Sequence, residues 1–84
     1  MWTVESLRSY REYPQSNEVI AKAIEVAESR VKAIPGCEAM MPSQVDLALL
    51  DFADLELDCD DACVRQEFAR ILAEQHSPLV CVHS

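Results

Sequence analysis

The chain has 84 residues and a formal net charge of −8, from 15 acidic and seven basic side chains. Half of the residues are hydrophobic, which is typical of a folded domain and too many for a disordered acidic tail. The length predicts a single domain over 1–84, near the size at which one hydrophobic core is only marginally stable. The net acidity and the lack of a basic stripe argue against direct binding to nucleic-acid phosphates.

The composition also predicts an all-α fold. Only one residue in 84 is glycine, well below the usual ~7%, and β-rich folds need glycine in their turns. Hydrophobic spacing predicts a compact bundle of three to four short helices with a short extended C-terminal tail. The predicted helices cover residues 3–13, 17–34, 43–56 and 59–75.

The predicted compartment follows from two missing signals. The N-terminus has no basic start followed by an apolar core, so we expect no signal peptide. No run of the sequence approaches the ~20 apolar residues that cross a bilayer. We therefore predict a cytoplasmic protein without membrane contact, whose four cysteines are thiols rather than disulfides.

A short amphipathic helix is predicted first, over residues 3–13. Thr3 is a suitable N-cap, and Pro14 ends the helix because a residue before proline is disfavoured in helical geometry. Its apolar stripe has a spacing of three and comprises Val4, Leu7 and Tyr10.

The second segment, residues 17–34, has the clearest helical pattern. Ser16 or Asn17 caps it, and Pro35-Gly36 ends it, since proline cannot continue a helix and glycine turns freely. The stripe predicted to be buried has the spacing of three and four that one helix face requires. It comprises Ile20, Ala23, Ile24, Ala27, Val31 and Ile34.

A connector over 37–42 leads to the third helix, residues 43–56. We expect Met40 and Met41 to fill a gap in the core and Ser43 to cap the helix. The broad face predicted to be buried comprises Val45, Ala48, Leu49, Phe52, Ala53 and Leu55.

The negative charge is confined to one part of the sequence. Residues 37–61 contain eight acids and no Lys or Arg. Acids and bases balance in residues 1–36, with five of each, and in residues 62–84, with two of each. The formal charge of −8 therefore lies entirely within 37–61.

The outer face of the third helix is the predicted partner-binding site. It is expected to comprise Asp46, Leu47, Leu50, Asp51 and Asp54. A helix that is apolar on two sides is either deeply buried or has a partner on its second side. Deep burial would take three carboxylates out of water at several kcal/mol each, so we expect a wet face or a partner surface.

The fourth helix, 59–75, is expected to begin after Asp58, which serves as its N-cap. Cys59, Asp60 and Asp61 then lie in the first turn, where the helix dipole favours negative charge. Ser77-Pro78 ends the segment. The stripe predicted to be buried comprises Val64, Phe68, Ile71 and Leu72.

The cysteines admit three interpretations. The favoured one makes Cys59, Cys63 and Cys81 small buried hydrophobic residues, with no bound metal. A weaker alternative is a zinc site in which these three join His83, because zinc prefers thiolate and imidazole ligands. The third is a regulatory disulfide between Cys63 and Cys81, or between Cys37 and another cysteine.

Other chemistry has little support in the sequence. Alternating acids over 54–60 resemble a calcium loop, but Cys59 replaces the required glycine and Arg65 replaces the final acid, which excludes an EF-hand. No HExxH, GxSxG, GxGxxG or Walker motif occurs. We therefore predict a protein that is not an enzyme and has no cofactor.

The charge confinement favours a small acidic interaction domain, acting as a regulator, adaptor or inhibitor, that binds a basic surface of a protein partner. Acids would steer the encounter, and leucines would anchor the complex. Three alternatives stay open: a nucleic-acid-mimicking, possibly phage-borne inhibitor of a DNA- or RNA-handling protein, a metal- or redox-responsive cysteine module, and a structural homodimer.

Overall fold

The computed structural model describes residues 2–78 and confirms the all-α prediction. The helices are α1 (Val4–Tyr10), α2 (Asn17–Lys32), α3 (Pro42–Asp58) and α4 (Ala62–His76), with a short 3₁₀ turn at Cys37–Ala39. The described residues contain no strand and no helix that is long and apolar enough to cross a membrane. The predicted extended tail lies outside the described residues.

The core lies between α2 and α3, with α1 and α4 packed around them. All six residues of the predicted α2 stripe are buried, and the N-cap is Ser16, as the sequence indicates. The largest fully buried side chains are Phe52, Leu7, Ile20 and Ile34. At about 25 cal/mol per Å² of apolar surface removed from water, such side chains supply most of the stabilisation.

Helix α1 begins as predicted but ends earlier. Thr3 Oγ1 accepts a hydrogen bond from the backbone N–H of Ser6 at 3.1 Å, and Ser6 Oγ accepts one from Thr3 N–H at 2.8 Å. The helix ends at Tyr10, which is 59% exposed rather than buried. The buried tyrosine is Tyr13 instead of Tyr10. The chain is extended at Arg11, so Tyr13 does not continue the helical spacing of Val4, Leu7 and Tyr10.

The start of α3 also differs from the prediction. The helix begins at Pro42, not after Ser43, because proline needs no N–H partner in the first turn. Gln44 Oε1 accepts a hydrogen bond from Met41 N–H at 2.9 Å, which gives the backbone N–H of the N-cap residue a partner. Met40 is buried, but Met41 is 63% exposed, so only one of the two methionines fills the core.

Two expectations about α4 are wrong. Its N-cap is Asp61, whose carboxylate accepts hydrogen bonds from the backbone N–H groups of Cys63 and Val64, whereas Asp58 is the last residue of α3. Phe68 in the predicted buried stripe is 51% exposed, and the buried residue is Ala69. An alanine face lets α4 approach the core closely, which a face of large side chains would prevent.

Candidate functional site

The predicted site on the outer face of α3 is narrower in the structure. Leu50 is only 8% exposed and belongs to the core, so its predicted position on a wet acidic face is wrong. Leu47 is 57% exposed and lies on the surface. Three helical residues rotate the side-chain direction by about 300°. That rotation places Leu50 on the side of α3 that also carries buried Leu57.

The N-terminal segment, residues 2–15, lies along this side of α3. Trp2 Nε1 donates a hydrogen bond to the backbone oxygen of Asp46 at 2.9 Å. Gln15 Nε2 donates one to the backbone oxygen of Leu57 at 2.7 Å. At 1.5 Å per residue, these two anchors lie about 16 Å apart along α3. The N-terminal segment is therefore attached to α3 near both ends of the helix, while Leu47 stays exposed.

Between these anchors, the N-terminal segment also binds two acids of α3. The buried side chain of Tyr13 donates a hydrogen bond from its hydroxyl to Asp54 Oδ1. Arg11 Nη1 lies 3.3 Å from Asp54 Oδ1 and 3.1 Å from Asp58 Oδ2. The Arg11 guanidinium also lies over the Tyr13 ring, 5.5 Å from its centroid. Asp54 therefore pairs with two residues of the N-terminal segment, Tyr13 and Arg11.

These contacts perturb the titration of both donors. Burial, followed by the hydrogen bond to Asp54, raises the pKa of Tyr13 well above its ordinary value. The nearby carboxylates of Asp58 and Asp54 raise the pKa of Arg11. Tyr13 therefore stays a neutral donor, and Arg11 a cation, throughout the physiological range.

Bases from outside the acidic segment reach the remaining sides of α3. His76 Nε2 lies 2.8 Å from Asp51 Oδ2. Glu56 contacts Arg30 of α2 at 3.7 Å and Arg65 of α4 at 3.5 Å, which links three helices. The folded chain therefore brings its bases to the acidic helix, and the charge asymmetry of the sequence is reduced in space.

What remains exposed of the predicted surface is Leu47 with Asp46, Asp51 and Asp54; Asp58, which the sequence assigned to a cap, lies on the same side about three turns further along α3. At about 100° per residue, Asp51, Asp54 and Asp58 all project within about 40° of Leu47 around the helix axis. Their side chains are 45%, 27% and 47% exposed. Each of these acids already has a partner within the chain, which reduces what a basic partner could gain from it. Asp46 is exposed, and its backbone oxygen accepts the hydrogen bond from Trp2 Nε1.

The cysteines do not assemble a metal site within residues 2–78, where no group of three or more ligand-type side chains is close enough. Cys59 is half-buried and donates to the backbone oxygen of Asp61 at 3.5 Å, and Cys63 is exposed, so the expectation of buried cysteines is wrong for both. The predicted partners Cys81 and His83 lie outside the described residues.

A cleft between α2 and α4 has a volume of about 480 Å³. Its lining mixes apolar and charged side chains: Arg30, Ala33, Phe52, Cys63, Gln66, Glu67, Ala69, Arg70 and Ala73. The volume is within the range of small-molecule sites. The cleft is open to solvent, and its arginines pair with Glu56 on one side and with Glu67 and Glu74 on the other.

Sequence reasoning missed an exposed apolar stripe on α4. Val64 is 42% and Phe68 is 51% exposed, and Ile71 is half-buried. The sequence does contain a signal for the correct buried face: Ala69 and Ala73 are four residues apart and therefore lie on one side of the helix. The rule that large apolar side chains face inward selected the wrong one of the two faces.

Comparisons with protein-family models, with characterised proteins and with solved structures found no match to this chain.

Proposed function

We propose that the protein is a small, non-enzymatic interaction domain that binds a basic surface of a protein partner as a regulator, adaptor or inhibitor. The observation that supports this proposal is the coincidence of exposed apolar side chains and carboxylates on the same helix faces. On α3, exposed Leu47 lies one turn from Asp51, and on α4, exposed Val64 lies one turn from exposed Glu67. Apolar anchors provide affinity, and charges steer encounter and orientation.

The remaining charge supports a basic partner over an acidic one. The chain carries 15 acids against seven Lys and Arg residues, so its surface stays strongly negative even after the internal ion pairs form. Exposed internal pairs neutralise only part of this charge, and long-range attraction depends on the sum. The free thiols Cys37, Cys59 and Cys63 suit the cytoplasm as the proposed compartment.

The alternative functions receive less support from the same contacts. A nucleic-acid mimic needs carboxylates that are free to occupy phosphate-binding sites, whereas Asp51, Asp54 and Asp58 are paired with His76 and Arg11. A homodimer must bring together two chains that each carry −8.

Three synthetic amphipathic peptides test the proposal. They share length and apolar residues, and their polar residues are basic, neutral or acidic. We expect fluorescence anisotropy to rank the basic peptide tightest, with binding that weakens as salt increases. A basic peptide of the same composition with a scrambled apolar pattern serves as the control for charge alone and should bind more weakly. Equal binding of all three charge types, or none at all, would contradict the proposal.

A further inference from the structure

The exposed side of α4 carries an apolar stripe, which we define as Val64, Phe68 and Ile71. The three residues follow a spacing of four and then three, which places them on one side of a helix. At 1.5 Å per residue the stripe extends about 10 Å, or roughly two helical turns. Half-buried Leu72 packs against the core and joins the stripe to the interior. The stripe is therefore a continuous apolar ridge rather than a set of scattered side chains.

The stripe faces away from α2. Cys63, Gln66 and Arg70 line the cleft between α2 and α4, so these residues mark the side of α4 that faces α2. At about 100° per residue, Phe68 projects nearly opposite to them. The cleft and the stripe are thus separate surfaces on opposite sides of α4.

Carboxylates border the stripe along α4. The side chains of Glu67 and Glu74 are 61% and 63% exposed, and both bind Arg70 from within the same helix. Such exposed pairs contribute only a few tenths of a kcal/mol each, so an incoming base can exchange with Arg70 at little cost. Two carboxylates share one guanidinium, which leaves this edge with a net negative charge.

Further acids lie on the elements that adjoin α4. The contact between His76 and Asp51, at 2.8 Å, ties the end of α4 to α3. The loop between the helices contributes exposed Asp60 and the cap residue Asp61. An occupant of the stripe therefore meets Glu67 and Glu74 along one edge, on a chain whose formal net charge is −8.

We infer that the stripe docks an amphipathic helix of a protein partner, with apolar residues at a matching spacing of three and four and with Lys or Arg along its edges. This inference rests on the proposed function and assigns it a surface. A helix fits because ridges on one helix pack into the grooves of another over about two turns. All backbone groups inside α4 are bonded within the helix, so an extended strand would find no edge to pair with.

A second copy of the chain fits the stripe less well. In an antiparallel pairing of two α4 helices, Glu67 and Glu74 would flank the seam in both chains and face like charges. The full charge of −8 on each chain adds long-range repulsion. A basic helix meets neither obstacle.

The test measures the affinity of the basic amphipathic peptide for the full-length protein and three variants. Phe68→Ser removes the centre of the stripe, Leu47→Ser removes the exposed leucine of α3, and Val19→Ser is the matched control on α2, where Val19 is 48% exposed. We expect Phe68→Ser to weaken binding about tenfold or more, as loss of a central aromatic anchor does, and the other two to stay within about twofold. Circular dichroism verifies that each variant is folded.

The outcomes separate this inference from the proposed function. If the basic peptide binds and Leu47→Ser, not Phe68→Ser, weakens it, the proposed function stands and the α4 surface is wrong. If no peptide binds the wild-type chain, both fail. Two results would assign the stripe to another occupant and overturn the inference. One is a dimer in sedimentation experiments that dissociates in the Phe68→Ser variant. The other is a set of nuclear Overhauser contacts from the Phe68 ring to residues 79–84.

Discussion

Replacing Tyr13 with phenylalanine tests whether the N-terminal segment is bound to α3 as the contacts indicate. The substitution keeps the buried ring and removes the hydroxyl that donates to Asp54. Hydrogen bonds to charged groups contribute roughly 1.5–3 kcal/mol. Asp54 keeps Arg11 at 3.3 Å and its side chain is 27% exposed, so water can replace part of the lost bond. We therefore expect a loss near the lower limit, about 1.5 kcal/mol in the free energy of unfolding.

Urea denaturation followed by far-ultraviolet circular dichroism measures this loss. For a domain of this size, about 1.5 kcal/mol corresponds to a fall of roughly 6–12 °C in the thermal midpoint. Fluorescence of Trp2 provides a second probe, because its indole is bonded to α3. Tyr10→Phe is the matched control, since Tyr10 is 59% exposed, and it should stay within about 0.5 kcal/mol of the wild type.

The raised pKa of Tyr13 adds a dependence on alkaline pH. Below the unfolded-state pKa of about 10, both states keep the phenol proton and its contribution is complete. As pH rises further, the unfolded chain loses the proton while the folded chain retains it, because the folded-state pKa is raised. The free energy of unfolding should then fall by up to about 1.4 kcal/mol per pH unit from this group. Tyr13→Phe should lack that component. The assigned role of Tyr13 would be refuted if the Tyr13→Phe variant had the same free energy of unfolding as the wild type at pH 7 and lost the same amount of it at alkaline pH.

Three further predictions follow from other parts of the fold. Leu50→Ala should lower the free energy of unfolding by about 2–4 kcal/mol, as core truncations do, whereas Leu47→Ala should cost less than about 1 kcal/mol; equal costs in urea denaturation would contradict the placement of Leu50 in the core. Asp61→Ala should cost about 1 kcal/mol through loss of the α4 cap, and Asp58→Ala should leave α4 helicity intact, as circular dichroism can verify. A chelator should leave the thermal midpoint unchanged, and native mass spectrometry should give the mass of the chain alone; a bound zinc would restore the cysteine-site alternative.

The sequence predicted the bundle well where a single rule determined the outcome. Helix α2 has one apolar stripe, a hydroxyl cap at Ser16 and a Pro35-Gly36 stop, and no competing pattern. Its cap and all of its predicted buried residues are confirmed. Local capping chemistry was equally informative at Thr3, which is the N-cap that the sequence predicts.

The errors arose where two rules competed or where contacts are distant in sequence. Helix α4 has one face of large apolar residues and one of alanines, and close packing favoured Ala69 over Phe68. Leu50 was assigned to the surface because no periodicity within α3 reveals that another segment covers it. The contacts that cover this side join residues about 40 positions apart, such as Tyr13 with Asp54. Composition also cannot show which acids are paired inside the fold.

Chemical-shift mapping tests the central claim most directly, namely that the exposed stripe of α4 binds a basic amphipathic helix. The uniformly ¹⁵N-labelled full-length protein is titrated with the basic peptide while backbone amide signals are followed. We expect saturable changes that are largest within residues 62–76 and are lost in Phe68→Ser. Changes concentrated within residues 46–58, or spread evenly over the surface without saturation, would contradict it.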